Sequence, residues 1–124
     1  MKPNEHADAH ATLLSLARRA LAKLARPETL RLGLRDALDA GDLLVIYGER
    51  GFVPDRALLI ELERTLRETA SKVPELISRE RAAAERGPAV PETNLRCRAL
   101  TAVQQLQSGL APAYRGLFEA GVES

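Results

Sequence analysis

Apolar residues recur along this chain at helical intervals, and polar residues fill the opposite faces. Over 10–26, Leu13, Leu14, Ala17, Leu21 and Leu24 share one face, with Arg19, Lys23 and Arg26 opposite. This pattern predicts a first amphipathic helix. Pro3 and Asn4 suit a start near Glu5, and residues 1–9 read as a loosely ordered polar N-terminus. Pro27 either closes that helix or opens the next one. A second helix is expected over 27–40, with Leu30, Leu34, Ala37 and Leu38 facing inward. Gly41 is its natural stop, and Asp42 is placed to cap the next element.

Leu43, Leu44, Val45, Ile46 and Tyr47 form an unbroken apolar run between Gly41 and Gly48. Periodicity does not separate a short buried strand from a buried helical turn in such a run. No other segment reads as β, so a strand here would have only its copy in a second chain to pair with. Helix or irregular structure is the preferred reading. Gly48, Glu49, Arg50 and Gly51 read as a turn.

Pro54 fits the first turn of a helix, and from Asp55 the period is strong. Leu58, Leu59, Leu62, Leu66, Ala70 and Val73 line one face; Glu61, Arg64, Arg67, Glu68 and Lys72 line the other. Pro74 removes a backbone hydrogen bond and crowds the preceding turn. Leu76, Ile77, Ala83 and Ala84 nevertheless keep the phase, which predicts one long kinked helix over about 55–86, about 48 Å in length if continuous, or two helices nearly in line. Gly87, Pro88 and Pro91 mark 87–91 as a linker. Leu95, Ala99, Val103, Leu106 and Leu110 then predict a helix over 92–109, weakened by Gly109 and Pro112. Tyr114, Leu117 and Phe118 belong to a short last helix ending at Gly121.

These elements make a single all-α domain over 1–124, an irregular antiparallel bundle of four to five helices with one long proline-kinked member. Its expected core is Leu13, Leu14, Ala17, Leu21, Leu24, Leu34, Leu38, Leu59, Leu62, Leu66, Val73, Leu95, Val103, Leu106 and Leu110. Composition agrees. With 45% apolar and 28% charged residues, 124 residues suit one globular domain. Aromatics are 3% and Trp is absent, so the core is built from Leu, Ala, Val and Ile, which favours helix packing over a β-sandwich.

A net charge of +1 excludes a strong global field toward nucleic acid or anionic lipid. The charge is uneven, however. Between 11 and 35, Arg18, Arg19, Lys23, Arg26, Arg31 and Arg35 stand against Glu28 alone. A basic stripe of this kind can neutralise phosphates in a salt-dependent, sequence-independent way. It also reads as the solvated face of an amphipathic helix. Scarce aromatics argue against a stacking platform for single strands. The spacing of Ala37 and Gly41 loosely matches a helix-turn-helix, but the apolar run after it is a poor base reader.

The single cysteine, Cys97, excludes an intrachain disulfide and a cysteine-based metal cluster, and fits a reducing compartment. Arg96 and Arg98 flank it, and nearby cations can favour thiol reactivity, but no histidine follows position 10 to act as a base, so an inert thiol is the simpler reading. His6 and His10, four apart with Glu5 and Asp8 nearby, share a helix face on which two imidazoles can reach one metal ion; two solvated histidines are the simpler reading. Pairs such as Glu63 and Arg67 suit an exposed helix, and Glu80 is the charged residue closest to an apolar phase. There is no phosphate loop, nucleophile elbow or zinc-protease signature. No run approaches a membrane span, and the N-terminus lacks a signal-peptide core, so a cytoplasmic location is expected.

The leading expectation is a non-enzymatic protein–protein interaction module, an adaptor, chaperone or assembly factor that also self-associates as a homodimer or larger oligomer. Its contact residues are taken as Leu43, Leu44, Ile46, Tyr47 and the outward Ile60. The alternative is a DNA- or RNA-associated regulator using Arg18, Arg19, Lys23, Arg26, Arg31 and Arg35. No catalytic residue, metal, cofactor, small-molecule substrate or membrane contact is expected.

Overall fold

The computed structural model describes residues 1–86 and 91–123, with side chains left aside at Glu80, Ala83, Ala84, Arg86, 91–94 and 113–123. Four helices pack together: α1 (Pro3–Leu24), α2 (Leu30–Glu49), α3 (Arg56–Arg86) and α4 (Pro91–Glu123). A 3-10 turn, Pro27–Thr29, joins the first two. The all-α bundle expected from the hydrophobic pattern is the architecture observed.

The helices form a ring in the order α1, α2, α4, α3, with α2 and α3 on one diagonal and no packing between α1 and α4 among the described residues. Named contacts set the directions. Gly41 lies against Gln105 and Leu106, and Leu44 against Gly109, so α2 and α4 run parallel. Thr65 reaches Ala17, and Asp55 reaches His10, so α1 and α3 also run parallel. Leu24 meets Gly33, and Lys23 meets Asp36, so α1 and α2 are antiparallel, as α3 and α4 must then be.

α1 begins at Pro3, two residues before Glu5, so most of the 1–9 segment expected to be loosely ordered is helical. Proline is at home in a first turn, and Ala9 is fully buried, so the segment has packing to hold it. The stripe of α1 is also rotated. Leu16 and Ala20 are buried while Leu14 and Leu21 are half-buried, because alanines count where helices come close.

The second helix does not stop at Gly41. α2 continues through the apolar run to Glu49. Gly41 is buried at the crossing with α4, where a Cβ would lie 2.8 Å from Gln105 Cβ and 2.9 Å from the Leu106 backbone nitrogen. Gly109 plays the reciprocal part from α4: a Cβ there would lie 2.7 Å from Leu44 Cγ. Glycine thus permits close approach inside two helices instead of ending either. α4 also passes through Gly109 and Pro112 as one helix, without a separate short last helix. α3 likewise runs through Pro74 as one helix.

Residues 87–90 of the expected linker lie outside the described residues, and Pro91 opens α4. The expectations for Glu80, Ala83, Ala84, Tyr114, Leu117 and Phe118 concern side chains outside those described.

The core has two parts. The larger joins Leu13, Ala17, Leu44, Leu58, Leu62 and Leu106; the smaller joins Leu24, Leu30, Leu34, Leu76 and Ala99 at the end holding the 3-10 turn. Leu38, Leu66, Val73, Leu95 and Val103 are half-buried at its margins. Ala70 is exposed, and Thr65 and Thr69 occupy the centre of the α3 stripe. Their hydroxyls donate to the carbonyls of Glu61 (2.8 Å) and Thr65 (2.7 Å), so burial leaves neither hydroxyl unpaired.

Candidate interaction surfaces

The five apolar residues of 43–47 sit in five different surroundings, as successive positions on a helix do. Leu43 lies half-buried in a groove between α1 and α2. Leu44 is 2% exposed and belongs to the core, where it also backs the wall of the cavity described below. Val45 faces a cavity at the end of the bundle. Ile46 is 44% exposed on the outer face. Tyr47 is half-buried and meets Phe52 edge-on, with ring centroids 6.0 Å apart. Ile60 is 45% exposed, but on α3, at the opposite corner of the ring from α2. No single flat surface carries both isoleucines, and the contact set expected from sequence is divided.

The cavity lies where α2 ends, the 50–55 connection crosses the bundle, and α4 passes. It measures about 590 Å³. Leu44, Val45, Phe52, Val53, Pro54 and Pro112 give it apolar walls, and Gly48, Gly51 and Gly109 keep it open. Gly51 has φ +92°, the left-handed conformation that lets the chain reverse after α2, and its N–H donates to the Gly48 carbonyl. Phe52 is buried beneath the turn, its ring 4.5 Å from that of His6. Val53 stands at the rim, 66% exposed. Among the described residues, Glu49 is the charged residue of the lining. Phe52 and Val53 escape a reading of the sequence because two isolated residues beside a turn carry no periodic signal.

His6 and His10 do share a face of α1, but they turn to the connection and not to a common ion. His6 Nε2 is 3.2 Å from the Val53 carbonyl, and His10 Nε2 is 3.2 Å from Asp55 Oδ2. Asp55 in turn accepts the Leu58 backbone N–H at 2.8 Å, which caps α3. That hydrogen bond chiefly holds its carboxyl below the usual aspartate range; slight burial opposes, and the nearby histidines add to the lowering. No group of three or more metal-ligating side chains gathers among the described residues.

The basic stripe is also divided. Lys23 Nζ donates to Asp36 Oδ2 at 2.8 Å, and Arg19 approaches Asp36 Oδ1 at 3.6 Å. Asp36 is only 7% exposed. Two of the six cations therefore join α1 to α2. Arg18, Arg26, Arg31 and Arg35 are exposed and make no ion pair among the described residues. The rotated α1 stripe explains the change, since turning Leu16 and Ala20 inward brings Lys23 to the seam. Elsewhere Arg67 pairs with Glu63, and Cys97 is exposed.

No described helix is long and apolar enough to cross a membrane. Comparison of the chain with family models, curated proteins and solved structures finds no match.

Proposed function

We propose that the chain is a non-enzymatic protein-interaction module whose end cavity receives apolar side chains from a helical segment of another protein. The observation that carries this reading is the cavity itself, about 590 Å³ and open beside the exposed Val53. Its size falls in the range of binding pockets, and its lining gives a burial site for apolar groups with little polar chemistry to direct a reaction. Anchor residues entering such a pocket are a general mode of helix recognition. The alternative, contact with DNA or RNA, retains Arg18, Arg26, Arg31 and Arg35 but has Arg19 and Lys23 committed to Asp36.

Gly48 offers a clean test, because a Cβ there meets nothing within 4 Å. Gly48→Leu should fill the cavity mouth without disturbing the core. Titrating a panel of amphipathic helical peptides into labelled protein should shift amide resonances of Val45, Gly48, Phe52 and Val53. The same peptides should fail to shift the Gly48→Leu variant. Absence of shifts with the wild-type chain, or shifts indifferent to the filled cavity, would refute the cavity as the docking site.

A further inference from the structure

α2 presents a second surface, separate from the cavity. Leu32, Arg35, Asp39, Asp42 and Ile46 succeed one another at alternating steps of three and four, the spacing of a helix–helix seam. Here the seam faces outward. Leu32 and Ile46 are 48% and 44% exposed, Arg35 is exposed, and Asp39 and Asp42 are partly so. Arg35 and Asp39 make no ion pair among the described residues. Asp42 accepts the Gln105 amide through Oδ1 at 2.7 Å, leaving Oδ2 free for a second donor.

The order of these residues is self-complementary on reversal. Leu32 and Ile46 are equidistant from Asp39, and Arg35 and Asp42 flank it with opposite charges. We infer that two copies of this chain pair through antiparallel α2 helices, with the two-fold axis at Asp39. Leu32 of each copy then lies level with Ile46 of the other, and Arg35 comes within about one residue's rise, roughly 1.5 Å, of level with Asp42, twice each by symmetry. A parallel arrangement sets Arg35 beside Arg35 and Asp42 beside Asp42, so like charges select against it. The two Asp39 carboxylates repel across the axis, and an Arg35 from each copy stands one turn away on either side to offset this. One helix pair buries less than the roughly 800 Å² per partner of a standard interface, so the dimer is weak and concentration-dependent. The pairing is independent of the cavity, and the variants that test it touch a different face.

The deciding experiment places a thiol on the axis. In a Cys97→Ser background, Asp39→Cys should form a disulfide-linked dimer under mild oxidation, while Ile60→Cys, across the ring on α3, should remain monomeric under the same conditions. Sedimentation of the wild-type chain should show mass rising with concentration from 13.5 kDa toward twice that value. Arg35→Asp should weaken association roughly tenfold, and adding Asp42→Arg should restore it. Should Asp42→Arg disturb the fold by losing the Gln105 bond, cross-linking at position 39 still decides. A wild-type mass that stays at one chain at every concentration overturns the proposal. Cross-linking at position 60 as fast as at 39 overturns it too, because collision alone then explains the disulfide.

Discussion

Single atoms decide much of this bundle. Gly41 and Gly48 lie two turns apart on α2, and helix propensity alone predicts that either glycine-to-alanine change stabilises by up to about 1 kcal/mol. The surroundings reverse one of these signs. At Gly48 the new methyl group enters open space, so Gly48→Ala should raise the melting temperature. At Gly41 it meets the Leu106 backbone nitrogen at 2.9 Å, and a backbone atom cannot swing aside as a side-chain end can. Overpacking at such a site costs about 1–3 kcal/mol, which outweighs the propensity gain. Gly41→Ala should therefore lower the melting temperature, and paired thermal melts of the two variants check the contrast. This difference is not legible in the sequence. A glycine after a leucine-rich helix looks the same whether it ends the helix or admits a neighbour, and the neighbour here is more than sixty residues away. Thr65 and Thr69 escape the expected core for a related reason: their phase places them mid-stripe, but their polarity argues against burial.

At the scale of the element, helix existence is legible in the sequence and helix ends are not. The periods over 10–26 and 55–86 correspond to α1 and α3, because burying one face leaves a repeating record in sequence. The 43–47 run carries no such record, since its apolar residues point in turn to the α1 groove, the core, the end cavity and the exposed outer face. The start of α3, by contrast, rests on one carboxylate. Asp55 accepts the Leu58 N–H, and losing such a cap costs about 1 kcal/mol. Its carboxyl is held below the ordinary value of 3.8 in the folded chain, so its contribution is present above that pH. As pH falls through the lower, folded value, the proton is taken up and the contribution is lost. Wild type should thus exceed Asp55→Ala by about 1 kcal/mol at neutral pH, with the difference fading as pH falls below the ordinary value of 3.8. Urea titrations of both proteins at several pH values measure this directly. A difference that persisted in acid would mean that the neutral side chain caps equally well.

For the whole molecule, unequal helix lengths create unequal stability. α1 and α2 span 22 and 20 residues, whereas α3 and α4 span 31 and 33. Among the described residues, Leu76 is the last buried side chain of α3, packed with Leu24 and Leu30 at the end of the shorter pair. The ten residues 77–86 therefore carry the helix about 15 Å past that last buried position. Segments with few buried apolar contacts open at lower free energy than the global unfolding transition. Native-state hydrogen exchange should show amides near Leu13, Leu44, Leu62 and Leu106 opening only with global unfolding, and amides of 77–86 exchanging much faster. The gradient also bears on how the molecule meets partners. If 77–86 proved as slow as the core in dilute protein, something beyond this single chain would have to cover it. The α2 pairing inferred above does not reach that end of α3, so slow exchange there would demand a further contact. Fast exchange would leave the α2 face and the end cavity as the surfaces on which association depends.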